Sequence, residues 1–336
     1  MPSIGRVRNS ALSIFLVAVV VFLLLAPSLL PTYYLSVATR IVIIGAFAIA
    51  FNVVFGLGGM PSLGHAAFFG SGGYVVGLGI TRWDWGLGTI LLVTLGIGGL
   101  LGLVFGLLCQ RVSGIYLLLM TLALGQAIWG LAFQNVSLTG GDMGINSVAR
   151  DVIPFDVTTR ESFHTFAVIV CVAVVFLLWW IMISPVGRAI VGLRESESRM
   201  ATLGYNVGVY KVLAFVVSAL SCALLGGLYA FQQGFVGIDN LDWTLSATVL
   251  LAAIVGGSRH FLGPAVGAAV IIALEAYIME YTERYMTAMG IVYMATILLL
   301  PNGILGAGRG TLRRMRSEGP VVSELGHTAD QKDVVV

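Results

Sequence analysis

Residues 51–80 read FNVVFGLGGMPSLGHAAFFGSGGYVVGLGI, an apolar stretch that contains a flexible turn near its start. His65 is its one side chain that can gain a charge near neutral pH, and a glycine or another small residue recurs every few positions. Soluble helices avoid this much glycine, and lipid-facing helices avoid a histidine and a Gly-Gly-Met-Pro break. The stretch therefore predicts a membrane span that a turn at residues 58–61 interrupts.

The composition of the whole chain agrees with a membrane protein. Of 336 residues, 58% are apolar and only 10% are charged, whereas a soluble domain carries about 25% charged residues. With a mean hydropathy of +0.98, a single soluble core cannot bury the apolar surface, so the surrounding solvent must be lipid. The net charge of +2 is too small to indicate binding to nucleic acid.

Apolar runs of about 20 residues, the length that a helical span needs, predict an all-α polytopic protein with about ten transmembrane helices. The first run follows Arg6 and Arg8 and resembles a signal sequence, but no A-x-A cleavage site follows it, so we expect an uncleaved first span. The eighth and tenth runs are short, and whether they cross the whole bilayer stays open. The predicted spans are residues 11–30, 36–57, 62–80, 86–108, 112–133, 163–183, 211–233, 244–257, 261–282 and 285–300.

The distribution of basic residues predicts the orientation. Ten spans place both termini on one side of the membrane, and that side receives thirteen of the 18 Lys and Arg residues. Because cytoplasmic loops carry the excess of Lys and Arg, we expect both termini in the cytoplasm. The other side receives Arg40, Arg82, Arg150, Arg160 and Arg284.

The chain shows no soluble domain. We interpret residues 1–306 as one transmembrane domain with a long cytoplasmic loop at 184–210, and residues 307–336 as a basic, disordered cytoplasmic tail. Residues 58–68 and 256–266 share a Gly-Gly followed by Leu-Gly and an alanine. Either a duplication or shared turn chemistry explains that similarity.

Several kinds of functional site are missing from the sequence. No GxxxxGK[ST] phosphate-binding loop occurs, so we do not expect the chain to hydrolyse a nucleotide itself. The three cysteines form no metal-binding spacing and suit apolar packing. Glu275 is the best candidate for an embedded acid, in either a structural or a transport role. A self-sufficient ion-coupled carrier would need a cluster of such groups, and a membrane enzyme would need converging His, Asp or Cys residues.

Small residues recur at four-residue spacing in three of the predicted spans. This spacing lets helices approach closely in lipid, where packing drives association; backbone that lines a substrate path is the alternative. The residues are Gly98, Gly102 and Gly106, then Ala219, Ala223 and Gly227, and finally Gly263 and Gly267.

The loop at residues 184–206 predicts a short amphipathic helix. Ser184 suits the N-cap, Pro185 suits the first helical position, and Gly204 suits the end of the helix. Such a helix either lies on lipid headgroups or docks into a cytoplasmic partner. Its apolar stripe consists of Ile190, Leu193, Met200 and Leu203, with Glu197 as an interruption.

Six ordered motifs between residues 35 and 306 resemble LivM-type permeases of branched-chain amino acid ABC importers. The segment at 56–74 is similar to that family's Gly-x-x-Gly-x-x-Ser-Leu-Gly-His-Ala-Ala-Phe signature. The others are RVSGIYLLLMTLALGQ (111–126), LTGGDMGI (138–145), the loop and following span at 184–219, IVGGSRHFLGPAVGA (254–268) and PNGILG (301–306).

This resemblance implies an ABC importer permease architecture in a bacterial or archaeal cytoplasmic membrane. The partners would be a second, LivH-like permease, two ATPase subunits that bind ATP and Mg, and a soluble substrate-binding protein. The substrate would be a branched-chain or other apolar amino acid, although related permeases carry urea or short amides. The chain itself would hold no cofactor, metal or catalytic residue.

The resemblance also assigns roles to individual residues. In the coupling helix that receives the stroke of the ATPases these are Gly187, Arg188, Arg194, Glu195, Glu197, Ala201, Leu203 and Gly204. Along the substrate path we expect Ser62, Gly64, His65, Thr121 and Gln126, together with Glu275, which its position in an apolar run suggests. A packing role is the alternative for His65. For docking of the binding protein the residues are Thr139, Gly140, Gly141 and Asp142.

Overall fold

A computed structural model describes residues 19, 21–154, 156–282, 284–299 and 303–304. Within these residues the secondary structure is helical except for one antiparallel pair of two-residue strands, β1 (Ile145–Asn146) and β2 (Phe235–Val236). A helical segment over 21–29 precedes helices that we number from α1. They are α1 (Thr32–Asn52), α2 (His65–Thr81), α3 (Leu87–Cys109), α4 (Gly114–Gln134), α5 (Val136–Thr139), α6 (Arg160–Ile183), α7 (Pro185–Glu195), α8 (Glu197–Thr202), α9 (Val207–Gln233), α10 (Trp243–Gly256), α11 (Gly263–Tyr281) and α12 (Tyr285–Leu299).

The predicted all-α membrane architecture is confirmed. Within the described residues, six helices are long and apolar enough to cross a membrane: α1 with its extension to Leu57, α3, α4, α6, α9 and α11. Helices α2, α10 and α12 coincide with shorter predicted runs. Part of the predicted first span and the whole tail at 307–336 lie outside the described residues.

Helices α1 and α9 form the centre of the bundle. In their most apolar windows, 72% of residues in α1 and 67% in α9 are buried within the protein, against 17% in α4. Helices α3, α4, α6 and α11 accordingly present most of their surface to the outside, where apolar side chains suit lipid. The most buried polar residues therefore belong to the centre, where protein groups must satisfy their hydrogen bonds.

Small residues let α9 approach two neighbouring helices, as the glycine spacing predicts. A methyl group added at Gly98, Gly102 or Gly106 of α3 would lie 2.8 Å from an atom of α9. The contact with α2 is closer still, because a methyl group at Gly226 would lie 1.8 Å from the Phe69 carbonyl oxygen. Helix α9 is thus held between α2 and α3 by direct contact of their backbones.

The connecting segments meet at two ends of the bundle. At the first, which we call the α7–α8 end, Lys211 Nζ donates to the carbonyl of Val112 at 3.3 Å. At the opposite end, Arg82 donates to the Ser137 carbonyl, and Arg150 Nε donates to the Phe231 carbonyl at 2.9 Å. The turn before α4 therefore lies beside the start of α9 at the α7–α8 end.

Arg150 secures the opposite end of α9. Its guanidinium caps the C-terminal carbonyls of Phe231 and Gln232 and lies 4.1 Å from the centroid of the Phe163 ring. Burial, together with the positive charge of Arg160, lowers the pKa of the Arg150 guanidinium. The Arg150 cation lies at the C-terminal end of α9, where carbonyls without intrahelical partners attract a positive charge.

Helix α10 is too short to cross the bilayer alone. At 1.5 Å per residue, its 14 residues span about 21 Å of a hydrocarbon core of about 30 Å. The connecting segment at 234–242 contains β2 and a 3-10 helix over Ile238–Leu241. It packs on α2, where Gly70 leaves space for Leu241. Backbone outside an α-helix is tolerated within an apolar bundle where protein covers it.

We predict that Gly226→Ala destabilises the bundle by about 1–3 kcal/mol, because the added methyl group must push α9 away from α2. The melting temperature of the detergent-solubilised protein measures this effect. Gly130→Ala is the matched control, since open space surrounds Gly130 in α4. An unchanged melting temperature for Gly226→Ala would contradict the close approach of the two backbones.

Candidate functional site

The interrupted span contains a π-helix and a turn, residues 53–64, which we call the break. Helix α1 continues as a π-helix over Val53–Leu57, a form that is rare and concentrates at functional sites. Gly59 then adopts a φ of +72°, which favours glycine, and Pro61 prevents a continuous helix. The predicted interruption at 58–61 is confirmed, and α2 begins directly after it.

A chain of buried hydrogen bonds joins the break to the two central helices. His65 Nδ1 lies 2.9 Å from Ser62 Oγ, and His65 Nε2 lies 3.1 Å from Ser218 Oγ in α9. Ser218 Oγ donates to the Ala50 carbonyl of α1 at 2.7 Å. Because that bond uses the one proton of Ser218, its oxygen accepts from His65 Nε2–H, and His65 Nδ1 accepts from Ser62.

Hydroxyl groups satisfy the backbone N–H groups that the break leaves free. The N–H of Leu63 donates to Thr121 Oγ1 of α4 at 3.1 Å, and that of Ala66 donates to Ser246 Oγ of α10 at 2.8 Å. The N–H of Gly64 donates to Ser62 Oγ at 3.3 Å. The start of α2 is therefore fixed by side chains of two other helices and the break itself.

The structure brings together most of the predicted path residues. Ser62, Gly64, His65 and Thr121 form one bonded group. Gln126 adjoins this group through Gly125, which packs against Gly64, and its amide nitrogen is buried with no hydrogen-bond partner in the described part of the chain.

Glu275 lies apart from this group. Its carboxylate is 3.3 Å from Arg40 Nη2, so the acid of α11 forms an ion pair with the arginine of α1. Both side chains keep some exposure, 40% for Arg40 and 20% for Glu275. The contacts match the structural alternative for this acid.

The predicted amphipathic helix at 184–206 is two helices, α7 and α8, which we call the α7–α8 unit (residues 185–202). As predicted, Ser184 caps α7 by accepting from the N–H of Gly187 at 3.4 Å, and Gly204 follows α8 with a φ of +85°. The prediction of one continuous helix was wrong. The backbone of Ser196 is extended, and its side chain caps α8 by accepting from the N–H of Arg199 at 3.2 Å. A serine competes for backbone donors in this way and starts a new helix.

The α7–α8 unit has one face toward the bundle and one that is exposed. Ile190, Leu193 and Met200 are buried as the apolar stripe predicts, but Leu203 is exposed. Of the predicted coupling residues, three face the bundle: Gly187, Arg194 and Glu197. The five exposed ones are Arg188, Glu195, Ala201, Leu203 and Gly204.

A buried cation connects α8 to α9. Lys211 Nζ lies 2.8 Å from Glu197 Oε1, and the lysine side chain is 3% exposed against 42% for the glutamate. This pair explains why an acid interrupts the apolar stripe. The same ammonium donates to the Val112 carbonyl, so one cation joins α8, α9 and the turn before α4.

The predicted docking turn lies at the opposite end. Thr139 is buried and accepts from the N–H of Gly141 at 3.2 Å, and both Gly140 and Gly141 have a positive φ. The side chain of Asp142 is exposed beyond this compact turn. The structure thus gives the turn a fixed shape with an acid at its surface.

Sequence reasoning missed Ser218, Ser246 and Lys211 as members of these sites. Each is a polar residue inside or at the start of an apolar run, and such a position could have indicated a functional role from the sequence. In the described part of the chain, no group of three or more His, Cys, Asp or Glu residues could hold a metal ion.

Comparison with known proteins identifies the relatives of this chain. The family described as "Branched-chain amino acid transport system / permease component" matches residues 33–301. The Escherichia coli high-affinity branched-chain amino acid transport system permease protein LivM is 26% identical, over 89% of this chain and 76% of the relative. The Escherichia coli permease protein LivH is 26% identical over 77% of this chain and 90% of the relative.

An archaeal relative is also similar. The probable branched-chain amino acid transport permease protein LivM of Methanocaldococcus jannaschii is 23% identical over 65% of this chain and 62% of the relative. No solved structure matches the chain significantly.

We predict that Glu197→Ala destabilises the protein more than Lys211→Met does. Removing Glu197 leaves a buried ammonium without its counter-charge, which costs about 2–3 kcal/mol. Removing Lys211 leaves a half-exposed carboxylate that water can solvate, so we expect a loss of less than about 1 kcal/mol. The melting temperatures of the two variants test this prediction, and Glu197→Ala should melt at the lower temperature. Equal melting temperatures, or a lower one for Lys211→Met, would show that water solvates the lysine.

Proposed function

The chain belongs to the permease components of branched-chain amino acid transport systems, and we propose that it forms half of the substrate path of an ATP-driven importer. It is a non-catalytic transport component. The observation that carries the proposal is the α7–α8 unit, which presents an exposed charged face on one side and is bonded to the broken span on the other.

The exposed face suits a protein partner better than lipid. It mixes a cation, an acid and small residues (Arg188, Glu195 and Ala201), followed by an exposed glycine turn. A helix that lies on lipid headgroups needs a broad apolar face toward the acyl chains, but three of the four residues of the apolar stripe are buried in the protein and Leu203 alone of the four is exposed. We therefore assign the exposed face to an ATPase subunit.

The proposed orientation follows from the same unit. If ATPases dock on it, the α7–α8 end faces the cytoplasm, in agreement with the excess of Lys and Arg on that side. Ten spans with both termini in the cytoplasm, a transmembrane domain over 1–306 and a basic cytoplasmic tail over 307–336 belong to this proposal. The membrane is the cytoplasmic membrane of a bacterium or an archaeon.

The proposed substrate path passes the Ser62–His65 group. Discontinuous spans are where transporters bring backbone groups to their substrates, and Ser62, Gly64, His65 and Thr121 are hydrogen-bonded to one another at the break, with Gln126 on the same helix as Thr121. In the structure these groups bond to one another, so passage of substrate requires the break to move.

The proposed complex contains three other kinds of subunit. A second, LivH-like permease completes the path, and two ATPases bind ATP and Mg and hydrolyse the nucleotide. A soluble binding protein delivers the amino acid to the opposite end, where Thr139, Gly140, Gly141 and Asp142 form the docking turn. Similarity to both LivM and LivH relatives supports pairing with a permease of the same fold.

Two alternatives make different predictions. A permease for urea or short amides would share the whole assembly and differ in the substrate that competes for uptake. A self-sufficient ion-coupled carrier would use Glu275 to bind its ion, but Arg40 neutralises that carboxylate.

Uptake of labelled leucine tests the proposal. We expect proteoliposomes that contain the chain, a second permease and the ATPase pair to take up leucine only with ATP and a binding protein. Uptake by the lone chain without nucleotide would establish a carrier instead, and ATP-dependent uptake of labelled urea without uptake of leucine would establish the amide alternative.

We predict that Arg188→Glu reduces the amount of ATPase that co-purifies with the permease by roughly tenfold, because a reversed charge is placed at the docking face. Arg111→Glu makes the same charge change on an exposed residue of the same end outside the α7–α8 unit and serves as the control. Equal co-purification for both variants would show that the ATPases dock elsewhere.

A further inference from the structure

Arg194 points from α7 into the bundle and lies directly on the break. Its Nη1 donates to the carbonyl of Gly56 in the π-helix. Where a side chain on Gly59 would begin, the Cα, Cβ and Cγ atoms of Arg194 are 2.9–3.0 Å away. Through Arg194, the α7–α8 unit therefore touches the break at two backbone positions.

The sequence of the break makes the Gly56 carbonyl available. The N–H of Gly59 donates to Phe55, and the N–H of Met60 donates to Val54. A donor five residues after Gly56 would have to be Pro61, which has no N–H. Among the described residues, no backbone N–H bonds to this oxygen, and the guanidinium supplies the missing donor with a charge-assisted bond.

Gly56 is closely packed on the side where a side chain would lie. A methyl group added there would lie 2.0 Å from Asn52 Oδ1 and 2.2 Å from the Ser258 carbonyl. Asn52 Nδ2 donates to that same carbonyl at 3.1 Å. A displacement of Gly56 toward this side must therefore move Asn52 and Ser258, because a close-packed interior transmits strain.

The second attachment of the α7–α8 unit is on a different element. Glu197 binds Lys211 at the start of α9, whereas Arg194 binds the end of α1. A unit that is held at these two points changes the position of the break relative to α9 when it turns. The His65–Ser218 bond joins α9 to the first residue of α2, which directly follows the break.

We propose that Arg194 is the positioning residue that transmits movement of the α7–α8 unit to the break and thereby to the Ser62–His65 group. The inference rests on the proposed function, since it assumes that ATPases move the unit. Among the predicted coupling residues, this inference distinguishes two roles. The exposed residues dock the ATPase, and Arg194 transmits the movement inward.

The test uses the assembled importer in proteoliposomes, with leucine uptake and ATP hydrolysis measured in the same sample. We expect Arg194→Ala to keep the ATPase pair bound and hydrolysing ATP while leucine uptake per ATP falls roughly tenfold, as loss of a charge-assisted bond implies. Arg194→Lys should recover most of the ratio, because an ammonium can donate to the same carbonyl. Arg111→Ala, on an exposed arginine of the same end, should match the wild type.

Two results would overturn the inference. An unchanged uptake per ATP in Arg194→Ala would show that the contact transmits nothing. Loss of the ATPase pair, as expected for Arg188→Glu, would place Arg194 in the docking face instead. If Arg194→Ala does not accumulate in the membrane, Arg194→Lys and Arg194→Gln test the inference instead. Leucine uptake per ATP is then expected to fall in the order wild type, Arg194→Lys, Arg194→Gln. Equal values for the three proteins would contradict the inference.

Failure of the proposed function gives a different result. A wild-type complex without ATP-dependent uptake would reject the importer itself. A wild-type complex that transports, together with Arg194 variants of equal efficiency, would reject only the role of Arg194.

Discussion

A helix that is broken inside an apolar bundle frees backbone groups that water cannot reach, and each of them needs a partner from the protein. In lipid an unsatisfied N–H or carbonyl costs several kcal/mol, so the break at 53–64 requires the side chains around it. Thr121 accepts from the N–H of Leu63 in the break, Ser246 accepts from the N–H of Ala66 in the first turn of α2, and Arg194 donates to the Gly56 carbonyl of the break. The requirement gathers α4, α7 and α10 around one short segment.

The same constraint explains why a permease would use such a segment. Partners that come from separate helices hold the break in place only while those helices keep their positions. A movement of the α7–α8 unit then changes the partner of Gly56, while α9 stays fixed by its close contacts with α2 and α3. A two-state transporter needs a rigid part, here α9, and hydrogen bonds that can be exchanged between its two states, here those of the break.

Local sequence patterns predicted the helices well because apolar length and turn residues are local properties. The Gly-Gly-Met-Pro turn gave the break, and Ser184, Pro185 and Gly204 gave the limits of the α7–α8 unit. Ser196 could have predicted the division of that unit, since a serine in mid-segment is a candidate N-cap. The six motifs indicated the family, which the match over residues 33–301 confirms.

The partners of the break could not be predicted in this way. Ser218 lies 153 residues from His65, and Ser246 lies 180 residues from Ala66, so no local pattern connects them. Lys211 begins the predicted span at 211–233, but no local pattern indicates that its side chain is only 3% exposed and bonded to Glu197 and Val112. Glu275 suggested a transport role only because it lies within an apolar run. Its pairing with Arg40 could not be predicted, since it depends on how α11 packs on α1.

Hydrogen–deuterium exchange of the assembled importer in nanodiscs tests the central claim most directly. Without nucleotide, the amides of Leu63, Gly64 and Ala66 should exchange slowly, because hydroxyl groups bind them in the structure. With ATP trapped on the ATPases, exchange in peptides that cover 53–66 should rise by tenfold or more, an order-of-magnitude expectation for loss of one hydrogen bond, while peptides of α3 and α9 stay protected. Fast exchange at 63–66 without nucleotide, or an equal change throughout the bundle, would contradict the account.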